Sequence, residues 1–311
     1  MTAAPRPDHP RSLEALLEVV RRRGGVRMAI AAADEPHCLQ AAVEAARLGV
    51  ATPVLIGAAD GIGRAAQQGG VDVGDLEIVE SGAAADCAAR AVRMVHDGRA
   101  DLLMKGSLPT KVLMRAVLNR EFGLRSRGLL SQVAAFEAPG GGRLVLLTDA
   151  GVNVNPRFHR KMEIIANAVG VARRLGVAEP KVAVLAAVET LELPAMPATL
   201  DAEMLRRLGE SGFFGRCAVA GPIALDAALS RERSDLKGTP NAVAGAADVL
   251  VAPSIETGNV LYKSISCIAG QDLASAVVGA VRPIVVPSRA DTVRTKLYSI
   301  ALGALLSKEP E

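Results

Sequence analysis

Short apolar runs of strand length alternate, along nearly the whole chain, with stretches whose apolar residues recur every three or four positions. The runs at 26–33, 52–57, 76–80 and 101–105 read as strands, with helices at 36–49, at 83–97 and from Pro109 onward. The first of these helices opens on a proline and closes on a glycine, as the geometry of helix ends favours. The middle breaks the rhythm. Runs at 129–137 and 143–149 flank Pro139-Gly140-Gly141-Gly142, which signals a hairpin and an antiparallel pair. Alternation then resumes with helix 157–175, strand 181–187, helix 202–211 and strand 217–220. It ends with strand 248–252, helix 259–269, strand 283–286 and helix 292–306.

Such alternation predicts open, largely parallel sheets with right-handed crossovers. At 311 residues the chain is long for one core, so the reading is α/β with two doubly wound, three-layer domains around a cleft. The hairpin marks the entry into the second domain. Composition sharpens this picture. Half the residues are hydrophobic but only 2% are aromatic, so the core is aliphatic, as suits buried parallel strands under Ala-rich helices. The scarcity of aromatics argues against a base-stacking surface for single-stranded nucleic acid. A formal charge of +3 implies no global field for DNA or an anionic membrane. The chain begins without an apolar signal core and holds no apolar run of about 18 residues, which predicts a cytoplasmic protein.

Cys38, Cys87, Cys217 and Cys267 lie far apart without a C-x-x-C pair, which supports neither a zinc site nor a disulfide framework. His9, His37, His96 and His159 are scattered, and no metal site is expected. Gly61-Ile62-Gly63-Arg64-Ala65-Ala66 follows a strand and fits a dinucleotide fingerprint, with Glu80 downstream. Gly69 and Gly70 cut the following helix short, so a surface turn is the preferred reading.

Ligands of open α/β sheets bind outside the carboxyl ends of the strands. Those ends carry Lys105-Gly106-Ser107, Thr148-Asp149, Glu189-Thr190, Pro253-Ser254 and Ser288-Arg289, a set rich in phosphate-binding groups. After Lys105, Gly106 permits close backbone approach, while Ser107 and Thr110 stand where a helix N-terminus offers N–H groups to an anion. Arg289 can grip a phosphate bidentately and Ser288 can add a bond. Asp291 has an equally good structural use as the N-cap of the last helix. In 248–263, Gly258-Asn259 opens a helix carrying Lys263, and Glu256 is a titratable group in the preceding loop.

Together these segments resemble the phosphate acetyl/butyryltransferase family, most closely its butyryltransferase-like branch. The resemblance rests on DLLMKGSLPTKVLMRAVL, GLLSQVAAFE, LLTDAGVNVNP, GPIALDAALS, ADVLVAPSIETGNVLYKSI and VPSRADTVRTKLYSIALG, in order from about residue 101 to the C-terminus. It implies a fold like the isocitrate and isopropylmalate dehydrogenases, with the C-terminal segment returning to the first domain. The expected division is therefore 1–128 plus 270–311 for the first domain and 129–269 for the second. It also implies a homodimer or higher oligomer, no permanently bound cofactor, and CoA, acyl-CoA, phosphate and acyl phosphate as substrates.

Carried onto matching positions, the resemblance implies Ser288 and Arg289 as catalytic groups, with Arg115 as a substrate contact. Ser131 and Asp149, in two of the matched stretches, join Lys105, Gly106, Ser107, Thr110, Glu256, Gly258, Asn259 and Lys263 as binding candidates. In the acetyl-type members an Asp seven residues after the Ser is the proposed base, and here that position is Thr295. Asp291 becomes the first candidate base, followed by Glu256 and Asp149. The alternatives are an NAD-dependent dehydrogenase on the same fold and a non-catalytic protein that binds CoA or acyl phosphate.

Overall fold

The computed structural model describes residues 10–126 and 128–308. The chain divides into two compact units: an outer unit of Leu13–Gly128 with Asp272–Glu311, and a central unit of 10–12 with Leu129–Gln271. The outer unit begins α1 (Leu13–Arg23), β1 (Val26–Ala31), α2 (Pro36–Arg47), β2 (Ala51–Gly57) and α3 (Ala59–Gly69). It continues through β3 (Glu77–Glu80), α4 (Ala84–His96), β4 (Leu102–Lys105) and α5 (Thr110–Val117). The central unit holds β5 (Ser131–Glu137), β6 (Leu144–Thr148), α6 (Phe158–Arg174), β7 (Lys181–Leu185), α7 (Pro197–Glu210) and β8 (Ala218–Ile223). Two short helices follow, α8 (Leu225–Leu229) and α9 (Arg231–Leu236), then β9 (Val249–Val251) and α10 (Ile255–Lys263), which runs into a π-helical turn. The chain then returns to the outer unit with β10 (Ala274–Val278), β11 (Ile284–Val285) and α11 (Val293–Ser307).

In the outer unit the strand order is β3-β2-β1-β4-β11-β10. All neighbours are parallel except β10 and β11. The chain steps outward from β1 through β2 to β3, then returns to the other side of β1 as β4. That reversal opens a crevice at the carboxyl ends of β1 and β4, where ligands of such sheets bind. The last helix, α11, is buried almost all round, as its mostly apolar sequence requires of an inner helix. In the central unit the order is β5-β6-β9-β7-β8, with β5 antiparallel to β6 and the rest parallel.

The alternating pattern and the hairpin are present as the sequence predicts, with informative exceptions. The antiparallel β10 and the opening helix α1 were not among the predicted elements. Gly61–Ala66 lies inside α3 and forms neither the expected surface turn nor a phosphate loop. The helix expected from 259 starts at Ile255, so Gly258 and Asn259 are helical. Glycine is required at 258 by packing, because a Cβ there would lie 2.2 Å from the Asp149 carbonyl oxygen. The same constraint acts at the sheet reversal. Gly106 N–H donates to the Ala31 carbonyl and Ser107 N–H to the Ala32 carbonyl, both at 2.8 Å. A Cβ on Gly106 would lie 1.9 Å from the Ala32 oxygen, which is backbone and cannot swing aside.

Gly106→Ala is therefore expected to destabilise the outer unit by about 3 kcal/mol, at the upper end for overpacking a close contact. Gly63→Ala, within α3 with nothing within 4 Å of the new methyl, should stabilise by roughly 0.5–1 kcal/mol. Urea unfolding of the two variants beside the unaltered protein checks both signs.

Candidate active site

At the reversal of the outer sheet, three strand ends lie side by side: Ala32–Asp34 after β1, Gly106–Ser107 after β4, and 286–291 after β11. Ala32 has φ 56°, a left-handed conformation that costs an alanine roughly 1–2 kcal/mol. That turn aims its carbonyl at the Ser107 N–H. The Ser107 hydroxyl donates to Asp34 Oδ1 at 2.5 Å, and the Ser107 carbonyl accepts from Arg289 Nη2 at 3.2 Å. A guanidinium, a hydroxyl and a carboxylate are thereby linked across the ends of β11, β4 and β1. Arg289 and Asp34 are exposed and Ser107 is half-buried, so the row is open to solvent. The remaining donors of the Arg289 fork are unspent among the described residues, which leaves them for an anion.

The predicted residues divide sharply by role. Lys105 is buried, and its ammonium donates to the carbonyls of Gly106 at 3.0 Å and Leu108 at 3.4 Å. Burial above all, and then the Arg289 and Lys296 charges, pull its pKa below the ordinary lysine value, while nearby Cys38 and Glu35 oppose the shift. Lys105 thus braces the loop from beneath. The N–H groups of Gly106 and Ser107 are spent on β1, so the expected backbone cradle does not form from them. Thr110 is exposed at the first position of α5, and Pro109 supplies no side-chain cap. Arg115 is exposed in the last turn of α5, further from the crevice.

Ser288 N–H donates to Asp291 Oδ2 at 2.7 Å, and Asp291 N–H returns to the Ser288 carbonyl at 3.2 Å. The Ala290 N–H reaches the Ser288 hydroxyl at 3.4 Å. Asp291, 8% exposed, therefore closes a tight turn that presents Arg289. The helix cap expected of Asp291 belongs instead to Thr292, whose hydroxyl accepts from Thr295 N–H at 3.0 Å. Thr295, at the acetyl-type base position, is buried and donates to Asp272 at 3.0 Å.

The central-unit candidates lie at the carboxyl ends of their own sheet. Asp149, 3% exposed, accepts from the N–H groups of Gly151, Val152 and Asn153 and from the Asn153 amide, all within 2.7–3.1 Å. With both oxygens so occupied it organises the loop after β6 and has no lone pair presented for proton transfer. Ser131 is fully buried, and its hydroxyl accepts from Asn167 at 2.9 Å. Glu256 is exposed, and a hydrogen bond from Ser254 holds its carboxyl below the usual range, which makes it a weak base. Asn259 is exposed on α10, donating to the Ala150 carbonyl at 3.1 Å, and Gly258 is buried against Asp149. Half-buried Lys263 places its ammonium 5.3 Å from the Tyr262 ring centre.

Two groups escaped the sequence reading. Asp34 lies three residues past the end of β1, and the strand-end rule would have found it had that strand been included. Lys296 is 1% exposed inside α11, where nothing in the local pattern separates it from a surface lysine. Cys38, close to both buried lysines, is inert: burial first, and then the Glu35 charge, push its thiol up to about 12. A thiol-reactive disulfide added to the folded protein should therefore modify exposed Cys267 quickly and Cys38 only after unfolding. Peptide mapping of the labelled sites at early and late times checks the order.

Known proteins resemble this chain over most of its length. Residues 82–304 match the family model described as "Phosphate acetyl/butaryl transferase". The chain is 40% identical over 297 residues to the phosphate butyryltransferase of Clostridium acetobutylicum, covering 96% of this chain and 98% of that one. The crystal structure of a branched-chain phosphotransacylase from Enterococcus faecalis superposes with a TM-score of 0.80 at 30% identity, over 91% of this chain and 99% of that one. The 4-hydroxythreonine-4-phosphate dehydrogenase of Klebsiella pneumoniae, at 12% identity and a TM-score of 0.56 over 91% of this chain and all of that one, shares the fold alone. With α3 occupying the segment where a dinucleotide loop would have to lie, the dehydrogenase alternative loses its one motif. The chain belongs to the phosphate acetyl/butyryltransferase family, and it is an acyltransferase.

Proposed function

We propose that the chain catalyses reversible transfer of a short acyl group between CoA and inorganic phosphate, with the phosphoryl group held by the outer unit. The single observation that carries the site assignment is the Arg289–Ser107–Asp34 row at the sheet reversal, which joins an anion-binding fork to an accessible carboxylate. Arg289 takes two phosphate oxygens, and the hydroxyls of Ser288 and Thr110 supply further donors. Buried Lys105 adds positive potential beneath the loop, which favours phosphate both as bound substrate and as leaving group. Asn259 and Lys263 are proposed as substrate contacts from the resemblance alone, while Ser131, Asp149 and Gly258 serve the fold of the central unit.

In the direction that forms acyl-CoA, the CoA sulfur attacks the acyl phosphate carbonyl, the thiol proton passes to a carboxylate and phosphate departs. In the opposite direction a phosphate oxygen attacks the thioester, and the departing thiolate recovers that proton. A thiol of ordinary pKa near 8.5 needs only a modest base. Asp291 is committed to its turn, Asp149 to its loop, and Glu256 is held anionic. Asp34 is the exposed carboxylate beside the phosphate fork, and the proton is assigned to it.

Asp34→Asn should lower kcat by about a hundredfold or more, the scale of a lost general base. Asp291→Asn, which keeps an acceptor for the Ser288 N–H, should stay within about threefold in kcat/KM. Steady-state kinetics of the two variants decide between them, and the reverse pattern would give the proton to Asp291. Arg289→Lys should cost roughly 1.5–3 kcal/mol in kcat/KM for phosphate, because an ammonium cannot reproduce the planar fork. The reaction itself is tested by release of free thiol from butyryl-CoA and from acetyl-CoA. Release must depend on phosphate, and the two rates set the acyl preference.

A homodimer working in the cytoplasm is the proposed setting. Among the described residues no helix is long and apolar enough to cross a membrane. Leu191, Leu193, Met196, Leu200 and Met204 are large apolar side chains exposed within one segment of the central unit, as a subunit contact would use.

A further inference from the structure

Lys296 presents a physical problem that no surface property of the protein explains. It sits in the first turns of α11, among the largest fully buried side chains, at 1% exposure. A methionine would fill the same volume without a charge to desolvate, and burying an ammonium is unfavourable unless its donors are matched. Its ammonium donates to the carbonyl oxygen of Asp291 at 2.7 Å. Asp291 is the residue whose carboxylate takes the Ser288 N–H and whose own N–H returns to Ser288. The buried cation therefore grips the closing residue of the turn that carries Arg289. It also lies close enough to Lys105 to depress that lysine's ionisation, so two buried cations stand beneath the same loops.

We propose that Lys296 is a positioning residue for phosphate: its bond to the Asp291 carbonyl fixes the Ser288–Asp291 turn and so the direction in which Arg289 meets the anion. The inference rests on the assignment of Arg289 to phosphate made above. It goes beyond that assignment by naming an interior side chain, out of reach of any substrate, that sets affinity for one of the two substrates.

The expected signature is a split between substrates. Lys296→Met should raise KM for phosphate at least about tenfold, the scale of one lost hydrogen bond from a charged donor. KM for acyl-CoA should stay within about twofold, because the turn is assigned to phosphate. Lys296→Arg, which keeps a cationic donor, should recover part of the phosphate affinity. Direct titration of the folded proteins with inorganic phosphate, followed by 31P line broadening, measures the same loss without turnover. Should the wild-type protein bind phosphate yet transfer no acyl group, the proposed reaction fails while the role of Lys296 is still read from the titration. Phosphate affinity within about threefold of wild type in Lys296→Met would overturn the proposal. Parallel loss for both substrates with a lowered melting temperature and no recovery in Lys296→Arg would also overturn it, by showing a general packing role. If Lys296→Met does not fold, Lys296→Gln carries the same comparison.

Discussion

The loop after β4 can lie against the end of β1 only because residue 106 has no side chain. Its α-carbon is pressed so close to the Ala32 carbonyl that even a methyl would overlap the oxygen. From that contact the rest of the outer unit's site follows. Ala32 takes a left-handed turn to aim its carbonyl at Ser107, and Asp34 comes within reach of the Ser107 hydroxyl. Arg289, one strand further along, docks on the Ser107 carbonyl. Three strand ends share one short segment of backbone, so their side chains are placed by main-chain geometry and not by flexible reach.

Charge is handled in two layers. Arg289 and Asp34 face solvent, where a ligand can meet them, while Lys105 and Lys296 lie below and spend their donors on loop carbonyls. Buried cations are tolerable there because Lys105 finds two backbone oxygens with the Glu35 charge close by, and Lys296 finds the Asp291 carbonyl. The arrangement stiffens the loops and sets a positive potential before any anion arrives. In the proposed site, preorganised charge of this kind needs no reorganisation as negative charge develops on a bound anion. Cys38 shares the same pocket but remains a neutral thiol, because its burial outweighs both lysines.

The carboxylates show how position overrides chemical type. Asp149 and Asp291 stand at strand ends, as a catalytic acid would, yet both turn inward to collect backbone N–H groups. Aspartate is as well suited to closing a turn as to moving a proton, since its short side chain reaches its own backbone neighbours. Asp34 escapes that use because the cap of α2 is supplied by the next residue, Glu35, which accepts from the N–H groups of His37 and Cys38.

The alternation of strands and helices, the central hairpin and the family were legible along the chain. Those depend on periodicity, turn residues and long matched segments, all of which are local along the chain. The sequence also led to the strand ends as the place to look for the site, since that follows from sheet architecture and not from any one residue. What it could not determine was which way each side chain faces. Gly258 looks like a turn residue until Asp149 is packed against it, and Gly61–Ala66 looks like a surface turn until it is seen as helix. Lys296 looks like any surface lysine until α11 is placed inside the unit. Packing settles these, because close approach, burial and hydrogen-bond partners are set by residues dozens to hundreds of positions away.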